Sequence, residues 1–258
     1  MKNKNVIISC IIPVFNAEKT IVECIDSLIN QSFDFWEAIF IDDGSTDSSA
    51  KIISEYSLID LRIRLIKQQN KKQAVARNNG IKHAKGKYIA FLDADDIAYP
   101  ERFKLQFDFL ECRQDVTILG GGRENIDIDT GKKISYFSHP ESNRQLKNEI
   151  LKYSPFTTST VMVRKSFFSD MKFHPNSTPV EDYRLWLEAA EKKEVVFWNL
   201  TNVLVKYRIR KYTKWSHYAR IIEVKTNYLF KRKETLKGVY HALYVLLSFF
   251  KNNPLNKG

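Results

Sequence analysis

The sequence is poor in cysteine, glycine and proline, with three, nine and seven of them among 258 residues. Cys10, Cys24 and Cys112 are odd in number, far apart and without zinc-site spacing, which argues against a disulfide framework and a zinc centre. The low glycine and proline content excludes a collagen-like or disordered chain. We expect a reducing compartment and one large domain, or a domain with an appendage.

Long hydrophobic runs are also lacking. No stretch of the sequence reaches the ~20 apolar residues that a membrane-spanning helix needs. Lys2 and Lys4 precede an apolar run at residues 6–12, which resembles a signal peptide. Pro13 follows at once, however, and no small-residue cleavage site appears, so we do not predict a signal peptide.

Acidic residues are scarce at one end of the chain. The net charge is +11, from 41 Lys and Arg against 30 Asp and Glu. Residues 1–200 are balanced, whereas residues 201–258 contain 13 basic residues and only Glu223 and Glu234 as acidic ones. Such one-sided charge indicates an acidic partner, which could be a nucleic acid, an anionic membrane surface or a phosphorylated substrate.

The first 120 residues alternate short apolar runs with amphipathic segments. This alternation predicts βαβ units in a doubly wound, mostly parallel α/β sheet. The predicted strands are 6–12, 36–41, 63–67, 88–92 and 116–120, and the predicted helices are 20–30, 48–56, 74–84 and 100–112.

The alternation stops at residue 121, where a polar segment runs to about residue 138. We assign residues 1–205 to one domain and residues 206–258 to a basic helical tail. The elements expected after the polar segment are helices at 143–153 and 183–193, strands at 160–163, 195–198 and 203–207, and tail helices at 215–231 and 236–250.

Carboxylates follow two of the predicted strands. Asp42 and Asp43 come after the second, and Asp93, Asp95 and Asp96 come after the fourth. Ligands of open α/β sheets bind beyond the carboxyl ends of the strands. Five carboxylates there would repel one another unless a cation lay among them, and oxygen ligands favour Mg²⁺ or Mn²⁺. The alternative for the first pair alone is a turn that caps the next helix.

Five segments carry a family resemblance: IIPVFNAE at 11–18, IDDGSTD at 41–47, ARNNG at 76–80, FLDADD at 91–96 and EDYRLWL at 181–187. Together they resemble the family 2 nucleotide-sugar glycosyltransferases. The resemblance implies the Rossmann-like GT-A fold, with a nucleotide-binding part at about 1–120 and an acceptor-binding part at about 121–205. It also implies a hexosyltransferase that inverts the anomeric carbon and takes its sugar from a nucleoside diphosphate, with a UDP-sugar as the expected donor.

The resemblance implies donor-binding roles by position. Pro13 and Phe15 form a wall beside the base, and Asp43 reads the base. Arg77 covers the base and diphosphate, and Arg208 follows a strand where the family often has diphosphate or acceptor contacts.

The resemblance also implies a metal site. Asp93 and Asp95 form the family's DXD motif, with Asp95 near the ribose and a Mn²⁺ or Mg²⁺ ion and Asp96 as an alternative ligand. The sequence leaves open which carboxylate touches the ion. It departs from the family at Lys72, where a glycine is usual, and this departure puts the donor's base and sugar in question.

Asp182 matches the family's catalytic carboxylate, with Glu181 as the second candidate. A sugar hydroxyl is a poor nucleophile and needs a general base on the face opposite the leaving group. The alternative for this pair is two acids in the first turn of a helix, which the helix dipole favours.

Length and basic tail resemble bacterial enzymes that extend lipid-linked O-antigen units. We therefore expect a glycan acceptor, lipid-linked, and a peripheral location at the inner face of the cytoplasmic membrane. The tail could instead be a solvated hairpin packed on the domain. No nucleic-acid-binding module accompanies the charge, so we expect no nucleic acid partner.

Two other functions stay open. A sugar nucleotidyltransferase would carry a glycine-rich, basic phosphate loop after the first strand, where this chain has Phe15, Asn16 and Ala17. A non-catalytic sugar-nucleotide or polysaccharide binding protein would have no need for both the DXD carboxylates and Asp182.

Overall fold

The computed structural model describes residues 5–209 and 215–232. The strands within them are β1 (Ile8–Val14), β2 (Trp36–Asp42), β3 (Ile63–Lys67), β4 (Tyr88–Phe91), β5 (Ile97–Ala98), β6 (Ile118–Asp127), β7 (Lys133–Phe137), β8 (Met162–Arg164) and β9 (Phe197–Ile209). The α-helices are α1 (Ile21–Ile29), α2 (Ser49–Ile59), α3 (Lys72–His83), α4 (Arg102–Cys112), α5 (Asn143–Glu149), α6 (Glu181–Ala190) and α7 (Trp215–Lys231).

All these strands join one sheet in the order β3-β2-β1-β4-β8-β6-β9-β5, and β7 pairs with β6. The strands β1 to β4 are parallel, as the sequence predicts. Beyond β4 the sheet becomes mixed, because β8 runs antiparallel to both of its neighbours. The direction reverses at the hairpin between β6 and β7, since β7 and β8 both run antiparallel to β6.

Helices cover both faces of the parallel half, so every residue of β1 and β2 is buried. Side chains alternate along β1 between two cores. Ile8, Cys10 and Ile12 join one cluster, and Ile11 joins the other. The two cores hold the carboxyl ends of the strands at one edge, where the loops that follow them form the site.

The polar segment at 120–138 is a strand hairpin, β6 and β7, and not a loop. A Cβ at Gly120 would collide with the Asn199 side chain, and one at Gly121 would collide with Leu204. The glycines thus allow β9 to pack closely against β6. The two strands predicted at 195–198 and 203–207 are one continuous strand, β9, with register shifts opposite these glycines.

The first predicted tail helix is present as α7, and it packs on the domain through buried Val224 and Leu229. The second, at 236–250, lies outside the described residues, so the membrane association expected from it stays a prediction. No helix within residues 5–209 and 215–232 combines the length and apolar content needed to cross a bilayer.

Candidate active site

The loops after β1 and β2 are tied together by reciprocal hydrogen bonds. The Asn16 amide donates to Ser45 Oγ at 3.0 Å, and Asn16 Oδ1 accepts from the Thr46 amide at 2.8 Å. The Glu18 amide donates to Asp47 Oδ2 at 3.0 Å. The polar residues of both sequence motifs therefore set the shape of these loops before any ligand is bound.

A first cavity of about 830 Å³ opens above these loops. The predicted donor-binding residues that line it are Pro13, Phe15, Asp43, Asp93, Asp95 and Arg208. The Phe15 side chain is 52% exposed, so its ring is available for stacking on a flat ligand. The structure thus brings together six of the seven residues that the sequence analysis gave to the donor.

Asp43 is buried and fully engaged with the chain. Its Oδ1 accepts from Gln68 Nε2 at 2.7 Å and from the Lys71 amide at 2.8 Å. Its Oδ2 accepts from the Lys72 amide at 2.8 Å. Lys72 has φ 70°, a left-handed conformation that favours glycine, which explains why a glycine is the usual residue there. Asp43 therefore fixes the loop that borders the cavity, and a base would have to share its carboxylate with these amides.

The DXD segment divides into an exposed and a buried part. Asp93 and Asp95 line the first cavity, whereas Asp96 is 1% exposed and its Oδ1 accepts from the Arg208 amide at 2.9 Å. Burial, together with the charges of Asp95 and Asp93, raises the pKa of Asp96 well above its ordinary value. This geometry favours Asp95 over Asp96 as the carboxylate that a metal would reach.

The Arg208 guanidinium ties three segments together. It donates to the backbone oxygen of Asp95 and forms an ion pair with Glu23 at 2.8 Å. Although Arg208 borders the first cavity, its cation is already used to hold the DXD segment against α1.

Arg77 lies in a different place from the one expected. It is 3% exposed, and its guanidinium bridges Glu181 Oε1 at 2.6 Å and Asp93 Oδ1 at 2.9 Å. Burial disfavours the cation, but Asp93 and Glu181 outweigh it and raise the pKa of Arg77. The predicted cover over the base and diphosphate stays a prediction for Arg77, whose guanidinium is paired with these two carboxylates and borders a second cavity.

Asp182 stands at the start of α6 and lines this second cavity, of about 450 Å³. Its Oδ2 accepts from Thr158 Oγ1 at 2.6 Å, and its Oδ1 accepts from the Tyr183 amide at 2.7 Å. Glu181, by contrast, is 1% exposed and bound to Arg77, and burial raises its pKa. Of the two predicted catalytic carboxylates, Asp182 is thus the one that a ligand can reach.

The two cavities adjoin, since Gln73, Asp93 and Tyr207 line both. The sequence analysis did not single out Thr158, Arg123 or Lys225, which also line the second cavity. Thr158 lies in a polar stretch without a recognised pattern. No sequence pattern distinguishes the basic pair, since Arg123 precedes Glu124 and Lys225 follows Glu223 by two residues.

The donor set suits a divalent cation that is shared with a phosphorylated ligand. Among the described residues, no group of three His, Cys, Asp or Glu side chains could hold a metal by itself. Mg²⁺ is usually held by one or two carboxylates plus substrate phosphates, and Asp93 and Asp95 on the cavity wall match that pattern. The carboxylate excess that raises the pKa of Asp96 also favours a cation at this edge.

Sequence comparison identifies the family, since the profile of Glycosyl transferase family 2 matches residues 9–171. The chain belongs to this family. It is 33% identical over 208 residues to the putative glycosyltransferase EpsE of Bacillus subtilis, with 78% of this chain and 72% of that protein covered. The putative teichuronic acid biosynthesis glycosyltransferase TuaG of the same organism is 31% identical, with 81% of both chains covered. An uncharacterized glycosyltransferase of Rickettsia felis is 34% identical over 188 residues, and the match covers 73% of this chain but only 31% of that longer protein.

Solved structures confirm the fold. S. aureus TarS in complex with UDP-GlcNAc superposes with a TM-score of 0.67 and 22% identity, over 97% of this chain and 74% of that chain. The mannosyltransferase PcManGT of Pyrobaculum calidifontis, in complex with GDP-Man and Mn²⁺, gives 0.64 and 15%, over 97% and 72%. The GT-A fold that the family 2 resemblance implies is therefore confirmed.

Proposed function

We propose that this family 2 protein transfers a hexose, with inversion, from a nucleoside diphosphate sugar in the first cavity to a glycan hydroxyl in the second. One observation carries the proposal: Asp93 borders both cavities, while Asp95 lines the first and Asp182 lines the second. A metal-type carboxylate and a candidate base thus face a common boundary from opposite sides. The sugar-nucleotide complexes of the two structural neighbours support this class of donor, with a UDP-sugar as the expected one.

Asp182 activates the acceptor in this mechanism. Its carboxylate takes the hydroxyl proton as the acceptor oxygen attacks the anomeric carbon, and the bond from that carbon to the diphosphate oxygen breaks. The electron pair leaves with the nucleoside diphosphate, and the anomeric carbon inverts because attack comes from the opposite face. Thr158 and the Tyr183 amide hold the carboxylate in place, so little ordering remains to be done at the moment of transfer.

The first cavity positions the donor. Phe15 offers a stacking surface for the base, and the loop fixed by Asp43 borders the same cavity. Bound Mg²⁺ or Mn²⁺, held by Asp95 with Asp93 nearby, would stabilise charge on the departing diphosphate. Arg77 acts indirectly in this scheme, because it keeps Asp93 and Glu181 in fixed positions at the boundary.

The name of TuaG, a putative teichuronic acid biosynthesis glycosyltransferase, supports a role in bacterial surface polysaccharide synthesis. We extend this to an acceptor that is a lipid-linked glycan, met at the inner face of the cytoplasmic membrane. The basic tail, with 13 basic residues against two acidic ones in residues 201–258, suits an anionic surface there.

A thermal-shift screen of the purified chain tests the donor. UDP-, GDP-, dTDP- and CDP-sugars are added with Mn²⁺ or Mg²⁺, because a ligand that binds only the folded state raises its stability. We expect one sugar nucleotide to shift the midpoint in a metal-dependent way, and Asp95→Asn to lose that shift. Asp108→Asn, an exposed carboxylate on α4, is the matched control and should keep it.

Product analysis then separates catalysis from mere binding. An α-linked donor must give a β-linked product. A metal-dependent shift without donor hydrolysis or transfer would favour the non-catalytic alternative, and a retained anomer would exclude the single displacement. Failure of every sugar nucleotide to bind would contradict the proposal as a whole.

A further inference from the structure

The second cavity is lined by two cations, a half-buried arginine and a buried lysine, that have no ion-pair partner among the residues that the structure describes. The first is Arg123 on β6, whose guanidinium lies between the rings of Tyr207 at 4.5 Å and Phe137 at 4.8 Å. Within residues 5–209 and 215–232 it donates a single hydrogen bond, from Nη1 to Thr157 Oγ1 at 3.0 Å, and its buried Nε has no partner there. Most of its hydrogen-bonding capacity therefore remains available.

The second cation is Lys225 on α7, which is 4% exposed. Its ammonium lies 5.6 Å from the centre of the Tyr183 ring, and within the described part of the chain it has no hydrogen bond or ion pair. Burial lowers the pKa of Lys225 to about 8. A buried lysine without a carboxylate is unusual, because the cost of removing the charge from water is not repaid by a partner.

The carboxylates of the same cavity do not supply that partner. Asp93 and Glu181 are paired with Arg77, and Asp182 accepts from Thr158 and from its own helix. His139, which contacts Thr157, stays neutral at pH 7, because burial and the charge of Arg123 lower its pKa to about 4, so it adds no further positive charge. The unpaired positive charge thus faces whatever ligand enters beside Asp182.

We propose that the second cavity binds a phosphate group of the acceptor, with Lys225 and Arg123 as its ligands and the sugar hydroxyl beside Asp182. Lysine and arginine from different elements, with Lys152 at the rim, suit a phosphate or diphosphate better than a single carboxylate. A phosphate ester would accept hydrogen bonds from the donor groups of Lys225 and Arg123 that have no partner in the described residues. It would also neutralise both positive charges. This inference deepens the proposed function, since it names the chemical class of the acceptor.

Two sources of such a phosphate are distinguishable by probe. A carrier-linked glycan presents a diphosphate diester, and a polymer with phosphate-linked units presents a phosphodiester. The probes are therefore P1,P2-dimethyl diphosphate and dimethyl phosphate, with acetate as the carboxylate comparison. Each is titrated by calorimetry into the full chain with UDP in saturating amounts, so that the first cavity is already filled.

The matched variants are on one helix. Lys225→Met removes the buried cation at similar volume, and Lys231→Met removes a cation from the exposed end of α7. Arg123→Gln is the second variant, on a different element. We expect one phosphate probe to bind the parent and the Lys231 variant alike, and to bind the Lys225 and Arg123 variants at least about 10-fold more weakly, as the loss of a charged hydrogen bond predicts. The preferred probe identifies the source.

Three results would overturn the inference: equal phosphate affinity in the Lys225 and Lys231 variants, acetate binding as tight as phosphate, or no phosphate binding by the parent. Binding of UDP alone, measured in the first step, reports on the donor site. Absence of UDP binding by the parent would count against the UDP-sugar donor of the proposed function, whereas UDP binding without phosphate binding would count only against the acceptor assignment.

Discussion

Most residues that line the first cavity lie in loops within the first 100 residues of the chain. The residues that line the second cavity are spread along the sequence from Gln73 to Lys225. The difference extends to charge. Arg208 and Asp43 of the first cavity are engaged with other parts of the chain, whereas Arg123 and Lys225 of the second lack ion-pair partners within the described residues. The first cavity is thus held in shape by contacts within the protein, whereas two cations of the second have no such contacts among the described residues.

Replacement of Arg77 should have the largest effect on stability, because Arg77 forms ion pairs with two carboxylates where the two cavities adjoin. Arg77→Met leaves Glu181 buried without its cation, so we expect the free energy of unfolding in urea to fall by about 3–5 kcal/mol. Adding Glu181→Gln should restore part of the loss, since it removes the uncompensated charge.

The matched control for this prediction is Arg113→Met, which breaks an exposed pair with Asp115. Exposed pairs contribute little, so its urea midpoint should stay near that of the parent. Equal urea midpoints for the Arg77 and Arg113 variants would mean that Arg77 does not hold the boundary together.

Replacement of Lys225 should change the free energy of unfolding in the opposite direction. Because burial lowers its pKa from 10.5 to about 8, Lys225→Met should stabilise the chain at pH 7, by at most about 3 kcal/mol. Below about pH 8 both folded and unfolded states carry the proton, and the full cost of burying the charge is present. Between about pH 8 and 10.5 the folded parent loses its proton first, so its stability rises and the advantage of the variant shrinks.

Urea unfolding of the parent and of Lys225→Met at pH 7, 9 and 10.5 measures this difference. Lys231→Met at the end of α7 is the control, and we expect no pH-dependent gain from it. A Lys225 variant that is less stable than the parent at pH 7 would show that the ammonium has a stabilising partner, and would weaken the contrast between the cavities.

The smallest effect is expected at Lys72, in the loop fixed by Asp43. Its φ of 70° costs a non-glycine residue about 1–2 kcal/mol, so Lys72→Gly should raise stability by up to about 1 kcal/mol after the entropy of glycine is subtracted. Lys71→Gly, at φ −129°, gains nothing from that relief and should lower stability. Thermal unfolding of both variants checks the difference in sign, and a destabilised Lys72 variant would contradict the strain.

The sequence predicted the parallel half of the sheet well, because its apolar runs and turn motifs are local signals. It also placed Pro13, Phe15, Asp43, Asp93 and Asp95 at one edge, since each follows a strand whose carboxyl end could be recognised. The position of a motif alone did not reveal which side chains are engaged in ion pairs or hydrogen bonds within the protein. The ion pairs of Arg77 and the burial of Asp96 were therefore not foreseen.

Of the second cavity, the sequence singled out Arg77, Asp93, Glu181 and Asp182 but not the other polar residues. Arg123 lies on a strand whose glycines resemble a loop in sequence, and Lys225 lies in a tail whose packing depends on residues far away in the chain. No periodicity shows that β6, α6 and α7 all contribute to one cavity. Long-range packing decides the second cavity, which is why its cations and Thr158 emerged only from the structure.

The assignment of the donor to the first cavity and of the general base to the second is tested most directly at Asp182. Asp182→Asn keeps the volume but loses the proton acceptor, so the transfer rate should fall by about 10² to 10⁴ while the donor dissociation constant changes little. Glu191→Gln, just after the end of α6, is the control and should keep both values. Near-parental transfer by the Asp182 variant, or loss of donor binding in parallel with transfer, would contradict the assignment of base and donor to separate cavities.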